Sequence, residues 1–187
     1  SALATLKTWL FEDAFPFWST VGLDKANDGF VERFDVDGAV LQDAQRARLV
    51  ARQIYAFSVA ERLGWGGPAR ETIQYGLRYL MSRMIVDDTI IPVVKPAADS
   101  PVAFDLYDQA FVLFGLAAAA GVGEQTRELS VLAVRIRDRM IAGWKHPVAG
   151  FEEAMPRTLP LKANPHMHTL EAALAWADVS DTDGKWA

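Results

Sequence analysis

Apolar residues recur every three or four positions along most of the chain, a spacing that predicts amphipathic helices. Near the N-terminus, Leu3, Leu6 and Leu10 share one face of a helix predicted over residues 2–15, and Pro16 is expected to end it. Further helices are predicted over about 41–63, 68–85, 105–120, 124–144 and 164–178. The pattern therefore indicates an all-α protein.

The segments between the predicted helices are short and rich in turn-forming residues. Residues 29–40 alternate apolar and charged side chains, with Asp37-Gly38 near a turn, and this predicts a short β-hairpin. Residues 87–104 are predicted to form a loop because they contain Pro92, Pro96 and Pro101.

One connecting segment is repeated along the chain. Gly29-Phe30 and Gly150-Phe151 are each followed by acidic residues, and residues 88–91 lie close to their midpoint. Helix pairs joined by short extended segments therefore recur about every 60 residues. A period of this length, built from helix pairs, favours an α/α toroid or an α-solenoid.

The predicted helices also alternate in character. Residues 105–120 are apolar almost all round after their first turn, whereas residues 124–144 keep a charged face. An inner ring of buried helices and an outer ring of half-exposed ones produces such an alternation. Three pairs do not close a ring, since a six-pair toroid needs roughly twice this length. We therefore expect residues 1–187 to be the truncated first half of one domain, with apolar surface exposed on the sixth helix.

Composition and charge exclude several classes of protein. The chain has 19 Lys and Arg against 24 Asp and Glu, a net charge of −5, so no basic stripe is available for nucleic acid. It has no cysteine, which excludes disulfides and cysteine-ligated metal sites and fits a reducing compartment. The longest apolar run, Ala110–Gly123, has about 14 residues, whereas a membrane-spanning helix needs roughly 20. With no secretory signal visible, we expect a cytoplasmic protein without membrane contact.

The histidines offer the first candidate chemistry. His166 and His168 form an HMH triplet, but residues two apart on a helix point about 200° away from each other, so we expect no shared metal ion. His168 lies four residues after Asn164, and an imidazole and a carboxamide on one helical face could bind a polar ligand. A helix cap next to a satisfied core histidine explains the same spacing.

Other polar residues interrupt apolar stretches. Arg52 lies within an apolar stripe, where its guanidinium either points into a cavity at a substrate oxygen or forms an ion pair. Tyr107 and Gln109 open the helix predicted over 105–120, where they either face a cavity mouth or accompany ordinary capping by neighbouring aspartates. Three carboxylates follow the two Gly-Phe pairs, and a pair drawn from them could serve glycoside hydrolysis: Glu32, Glu152 and Glu153.

Four segments, taken together and in order, resemble the N-acylglucosamine 2-epimerase superfamily, and most closely its bacterial mannose isomerase and mannose-6-phosphate-isomerase-like branch. They are GFVERFDVDG at 29–38, ARQIYAFSVAERLGW at 51–65, DLYDQAFVLFGLAA at 105–118 and NPHMHTLEAALAW at 164–176. The resemblance implies an (α/α)6 barrel, which agrees with the repeat, and we expect about half of that ring here, as three helix pairs with short hairpin-like connections.

The resemblance also implies a sugar isomerase or epimerase that needs neither a metal nor a redox cofactor. In the family, removal of the proton next to the open-chain carbonyl gives a cis-enediolate, and reprotonation gives the epimer or the ketose–aldose isomer. By motif match, Arg52 falls on the family's carbonyl-side arginine, and Tyr107, Asn164 and His168 fall on residues of inner helices that contact the sugar. We accordingly assign Arg52 and His168 as catalytic, and Tyr107 and Asn164 as substrate-binding.

One departure from the family limits this assignment. The family's main proton-transfer histidines lie in the second half of its barrel, beyond residue 187, so these residues alone are expected to be inactive. We expect the substrate to be a mannose-type hexose, free or as its 6-phosphate, and we consider a homodimer as the oligomeric state.

Two other functions are open at this point. Half a toroid could be a carbohydrate-binding or assembly module without catalysis, and an α/α barrel could house a glycoside hydrolase. A sugar isomerase requires Arg52, Asn164 and His168 to converge on one cavity, whereas a hydrolase requires two carboxylates roughly 5–9.5 Å apart.

Overall fold

The computed structural model describes residues 1–94, 104–180 and 184–186, and helices dominate these ranges. Pro96 and Pro101 of the predicted loop lie outside the described residues. The helices are α1 (Ala2–Trp9), α2 (Phe15–Thr20), α3 (Ala47–Arg62), α4 (Ala69–Tyr79), α5 (Leu106–Gly121), α6 (Thr126–Trp144) and α7 (Ala163–Ser180). No helix in the described ranges is long and apolar enough to cross a lipid bilayer.

The N-terminal helix does not end at Pro16, so that prediction was wrong. A π-helical turn, Leu10–Ala14, joins α1 directly to α2, and the Phe15 N–H donates to the Leu10 carbonyl. A proline inside a regular α-helix would clash with the carbonyl four residues earlier. The wider turn avoids that clash and places Pro16 in the first turn of α2, where its missing N–H costs little.

Three short antiparallel hairpins separate the helices. The strands are β1 (Leu23–Asp24), β2 (Gly29–Phe30), β3 (Arg33–Phe34), β4 (Val40–Leu41), β5 (Ile85–Val86) and β6 (Thr89–Ile90), and they pair as β1–β2, β3–β4 and β5–β6. The hairpin predicted over 29–40 is partly confirmed, because β3 and β4 flank the turn at Gly38, which has a φ of +84°. Gly29-Phe30 forms β2, which pairs with the preceding strand β1 and does not belong to the β3–β4 hairpin.

The repeat is visible in these reversals of the chain. Phe30 lies in β2, Ile90 lies in β6, and Phe151 forms an isolated bridge with Lys145. Each reversal precedes one helix of the series α3, α5 and α7. The α3 helix begins at Ala47, later than predicted, because Val40–Leu41 forms a strand and Arg46 is extended.

Helices α3, α5 and α7 pack side by side with α5 in the middle, while α4 packs on α3 and α6 packs on α5. The predicted contrast is present, since α5 is buried along most of its length and α6 keeps an exposed charged face. Gly115 allows α5 to approach α3 closely, and the fully buried Trp176 of α7 donates its indole N–H to the Leu113 carbonyl of α5 at 2.9 Å. These contacts hold α3 and α7 closely against α5.

The first and the last of these helices, α1 and α7, each expose several large apolar side chains. On α7 the exposed residues are Met167, Leu170 and Leu174, as predicted for the sixth helix. We call these three residues the α7 stripe. On α1 the exposed residues are Leu3, Leu6 and Trp9, which we call the α1 stripe. Apolar surface of this kind is normally covered by a neighbour.

Candidate functional site

Three predicted site residues lie around one aromatic ring. Phe111, on α5, has the Arg52 guanidinium carbon 4.2 Å from its ring centroid and the His168 ring centroid at 4.5 Å. The Tyr107 ring lies one turn earlier on α5, 4.8 Å from Phe111. Helices α3, α5 and α7 therefore each contribute to a single cluster, which we call the Phe111 cluster: Arg52, Tyr107, Phe111 and His168.

Arg52 is the cation of this cluster. It is exposed near the start of α3, and its Nη2 donates a hydrogen bond to the Tyr107 hydroxyl at 2.9 Å. Within the described ranges no carboxylate forms an ion pair with it, so the ion-pair interpretation does not hold there. A guanidinium stacked on an aromatic face and free of a counter-charge can donate further hydrogen bonds to a ligand oxygen.

Tyr107 is held in place from several sides. Its backbone N–H donates to Oδ1 of the N-cap residue Asp105 at 2.9 Å. The guanidinium carbons of Arg48 and Arg52 lie 5.4 Å and 5.8 Å from its ring centroid. The capping predicted at the start of this helix is therefore present, and it fixes the tyrosine beside two cations.

His168 packs in the same cluster, with its ring edge-to-face against Tyr107 at 5.2 Å and 82°. Its Nδ1 lies 2.7 Å from a carboxylate oxygen of Glu171, one turn further along α7. The histidine side chain is about one-fifth exposed, at 18%. It is therefore packed on two faces and still accessible to solvent.

Asn164 is in the first turn of α7, four residues before His168, and it is exposed. Asn164 was predicted to be the N-cap of this helix, but the helix already begins at Ala163. Helix ends commonly differ by one residue in this way. Among the described residues its side chain makes no hydrogen bond with Arg52, Tyr107 or His168. The structure therefore places Asn164 on the helix that carries His168 but outside the Phe111 cluster. The expected convergence is found for Arg52 and His168 and not for Asn164.

Gln109 has a structural role, so the idea that it faces a cavity mouth was wrong. Its side chain is fully buried, accepts the Ile90 N–H at 3.1 Å and donates to the Ile90 carbonyl at 2.9 Å. The amide thus pairs with the backbone of β6 as a neighbouring strand would. This contact attaches the β5–β6 hairpin to α5.

Asp108, which follows Tyr107, connects α5 to α3. Its carboxylate is fully buried and accepts the backbone N–H of Arg48, in the first turn of α3, at 2.9 Å. The guanidinium of Arg48 lies 3.5 Å from the other carboxylate oxygen. Burial raises the pKa of Asp108 from 3.8 to about 6, and the charge of Arg48 opposes that rise.

The remaining histidines and acidic candidates have local partners. His166 contacts the backbone carbonyls of Lys162 and Phe151, each at 3.0 Å, and His146 Nδ1 accepts the Val148 N–H at 3.2 Å. The three carboxylates considered for hydrolysis are also paired, with Arg46, Arg157 and the Lys162 N–H respectively: Glu32, Glu152 and Glu153. In the described part of the chain no three His, Asp or Glu side chains group as a metal site would require.

Sequence reasoning missed Phe111 and Glu171, and it did not place Arg48 beside Tyr107. The first two were within reach of the helical rule, since Phe111 is four residues after Tyr107 and Glu171 is three residues after His168. Arg48 lies near the start of the same helix as Arg52. Its contact with Asp108 joins residues 60 positions apart, so the spacing of residues along the sequence could not predict it.

Comparison with known proteins gives the family. The model of the N-acylglucosamine 2-epimerase (GlcNAc 2-epimerase) family matches residues 29–187. The chain belongs to this family. It is 39% identical over 182 residues to "Mannose-6-phosphate isomerase" of Rhizobium meliloti (strain 1021), which covers 95% of this chain and 47% of that protein. The resemblance seen in the four sequence segments is thus confirmed.

Solved structures share the fold at lower identity. A sugar epimerase from a ruminal bacterium superposes with a TM-score of 0.85 and 17% identity, covering 100% of this chain and 52% of that one. A D-mannose isomerase gives a TM-score of 0.78 and 18% identity, covering 94% of this chain and 47% of that one. The chain of this N-acylglucosamine 2-epimerase family member therefore spans about half the length of the proteins it matches.

Proposed function

We propose that these residues supply the sugar-binding face of an isomerase or 2-epimerase for mannose-type hexoses, free or as the 6-phosphate. The observation that carries the proposal is that Arg52 and His168, from different helices, contact the same Phe111 ring. The polar groups of Arg52, Tyr107 and His168 lie around that ring, and the hydroxyls of a hexose can form hydrogen bonds with them. The family to which the chain belongs, and the name of its Rhizobium relative, support this substrate class.

In the proposed reaction, Arg52 donates hydrogen bonds to the carbonyl oxygen of the open-chain sugar. Removal of the C2 proton moves negative charge onto that oxygen in a cis-enediolate, and a fixed cation stabilises it. Tyr107 orients Arg52 through its hydroxyl and contacts the sugar. His168 exchanges a proton with a sugar oxygen, and Asn164 binds a hydroxyl from the start of α7. The chemistry uses no metal and no redox cofactor.

The same proposal assigns the chain to half of one (α/α)6 barrel domain. The α1 and α7 stripes are exposed on the first and the last helix, and apolar surface of this kind would be covered by neighbouring helices in a closed ring. Related proteins are about twice as long as this chain. The remaining helices would cover both stripes and bring the groups that transfer the proton at carbon, so we expect residues 1–187 alone to bind sugar without turning it over.

Binding is tested on the 187-residue chain by NMR titration with mannose, fructose, glucose and N-acetylmannosamine. Arg52→Lys should weaken binding of the preferred sugar at least about tenfold, because the ammonium cannot keep both the stacking and the forked hydrogen bonds. Arg62→Lys is the matched control, since Arg62 is exposed on the same helix about 15 Å away. Equal affinities of the two variants would contradict the proposal.

Catalysis is tested in D2O with a polypeptide of the relatives' length that contains this segment. Deuterium at C2 of the aldose or C1 of the ketose is the expected result, since enediolate chemistry exchanges these positions with solvent. A non-catalytic binding module would bind the sugar and show no exchange in that longer chain. Hydrolysis of a glycoside without exchange would instead support the α/α-barrel hydrolase.

A further inference from the structure

Glu171 is an acidic residue in contact with the candidate site that the proposed function leaves without a role. Its carboxylate lies 2.7 Å from Nδ1 of His168, and it is about half exposed, at 49%. A contact at this exposure contributes little to the free energy of unfolding, so its main effect is on the position of the proton of the histidine.

The direction of the hydrogen bond follows from the chemistry of the two groups. An ionised carboxylate only accepts hydrogen bonds, so Nδ1 of His168 must carry the proton that joins them. In a neutral imidazole the other nitrogen is then unprotonated. Within the described ranges Nε2 of His168 has no hydrogen-bond partner, so this lone pair is left for a ligand.

The ring itself cannot easily turn over to exchange its two nitrogens. Tyr107 packs edge-to-face on it at 5.2 Å, and Phe111 lies 4.5 Å away at 45°. Both aromatic residues belong to α5, whereas Glu171 belongs to α7. The imidazole therefore packs between residues of two helices, and its hydrogen bond to the Glu171 carboxylate determines which nitrogen carries the proton.

We propose that Glu171 is a positioning residue that holds His168 in the tautomer protonated at Nδ1, so that Nε2 accepts a hydrogen bond or a proton from a sugar hydroxyl. The part of this statement that concerns the sugar rests on the proposed function. The tautomer itself does not, and it can be measured without any substrate.

The test is long-range proton–nitrogen NMR of the chain with 15N-labelled histidine, at a pH well above the ordinary imidazole pKa. His146→Gln and His166→Gln assign the signals of the three histidines. Wild-type His168 should show a protonated Nδ1 and a bare Nε2. In Glu171→Gln, the carboxamide can either accept from or donate to Nδ1, so the signals should move toward a mixture of the two tautomers.

Asp178→Asn is the matched control, because it makes the same chemical change at an exposed position of the same helix. It should leave the His168 signals unchanged, whereas a merely structural role of Glu171 would alter the melting temperature and not the tautomer. A wild-type His168 protonated at Nε2, or a Glu171→Gln spectrum identical to wild type, would overturn the inference.

A mannose titration of the same samples separates this inference from the proposed function. Glu171→Gln should weaken binding about two- to tenfold, the usual effect of one hydrogen bond. If wild type binds none of the sugars, the proposed function fails while the tautomer result stands. If sugar binds equally well to wild type and Glu171→Gln after the tautomer has changed, the assignment of Nε2 to the sugar is wrong.

Discussion

Asp108 shows how a single residue can stabilise a local arrangement at a cost in overall stability. Its buried carboxylate caps the start of α3 and holds Arg48 near Tyr107. Burial raises its pKa to about 6, which means that the folded protein holds this proton more tightly than the unfolded chain does. The unfolding free energy should therefore fall as the pH rises from about 4 to 6, by at most about 3 kcal/mol from this group.

We predict that Asp108→Asn removes this part of the pH dependence. Asparagine keeps an oxygen for the Arg48 N–H but carries no charge to desolvate. The variant should gain stability relative to wild type as the pH rises, by up to about 3 kcal/mol between pH 4 and pH 7. Urea unfolding at several pH values measures the difference, and a difference independent of pH would contradict the assigned cause.

At the scale of elements, the sequence predicted most helices because their apolar spacing is local information. The start of α5 was correct since Asp105 is a strong N-cap, and α6 ended at Trp144 as expected. Errors arose where a distant or unusual backbone contact decides the outcome. Pro16 is accommodated by a π-helical turn, and the side chain of Gln109 forms hydrogen bonds with the backbone of β6. Neither feature can be inferred from the local pattern of apolar residues.

The candidate site was predictable in part for the same reason. Arg52, Tyr107 and His168 were found through motifs, but their approach to one ring depends on how α3, α5 and α7 pack. Phe111 looks like any core aromatic residue in sequence. Its importance follows from its position between two helices that come from distant parts of the chain.

The close contact of α3 and α5 predicts a clear difference between two glycine substitutions. A Cβ at Gly115 would lie 2.8 Å from the backbone oxygen of Ala51, which cannot move without shifting α3. Gly115→Ala should therefore lower the unfolding free energy by about 1–3 kcal/mol despite the better helix propensity of alanine.

Gly143→Ala provides the comparison for this prediction. There the added Cβ would meet only the end of the flexible Arg139 side chain, at 3.0 Å. This variant should be neutral or up to about 1 kcal/mol more stable than wild type in chemical denaturation. If both substitutions changed stability equally, close helix packing at Gly115 would not be the cause.

At the scale of the whole molecule, the exposed α1 and α7 stripes predict association with further helices of the barrel or with a second copy of the chain. Leu170→Glu combined with Leu174→Glu should change the unfolding free energy by less than about 1 kcal/mol, since both side chains are largely exposed. The same pair should weaken any assembly that uses the α7 stripe, which includes a homodimer. Sedimentation velocity measures the assembly, and thermal unfolding checks that the variant is folded.

Ala172→Glu serves as the contrast on the same helix, because Ala172 is buried and a charge there should unfold α7. A wild-type chain that sediments as a monomer at all concentrations, with or without the remaining helices supplied separately, would argue against the half-barrel proposal.

The shared use of Phe111 also bears on when the Phe111 cluster forms during folding. The hydrogen bond from Arg52 to Tyr107 joins residues 55 positions apart, and the indole of Trp176 reaches back 63 positions to Leu113. Nascent chains that have not yet emerged as far as α7 would possess the arginine and both rings without the imidazole. The Phe111 cluster is therefore complete only after α7 has packed on α5.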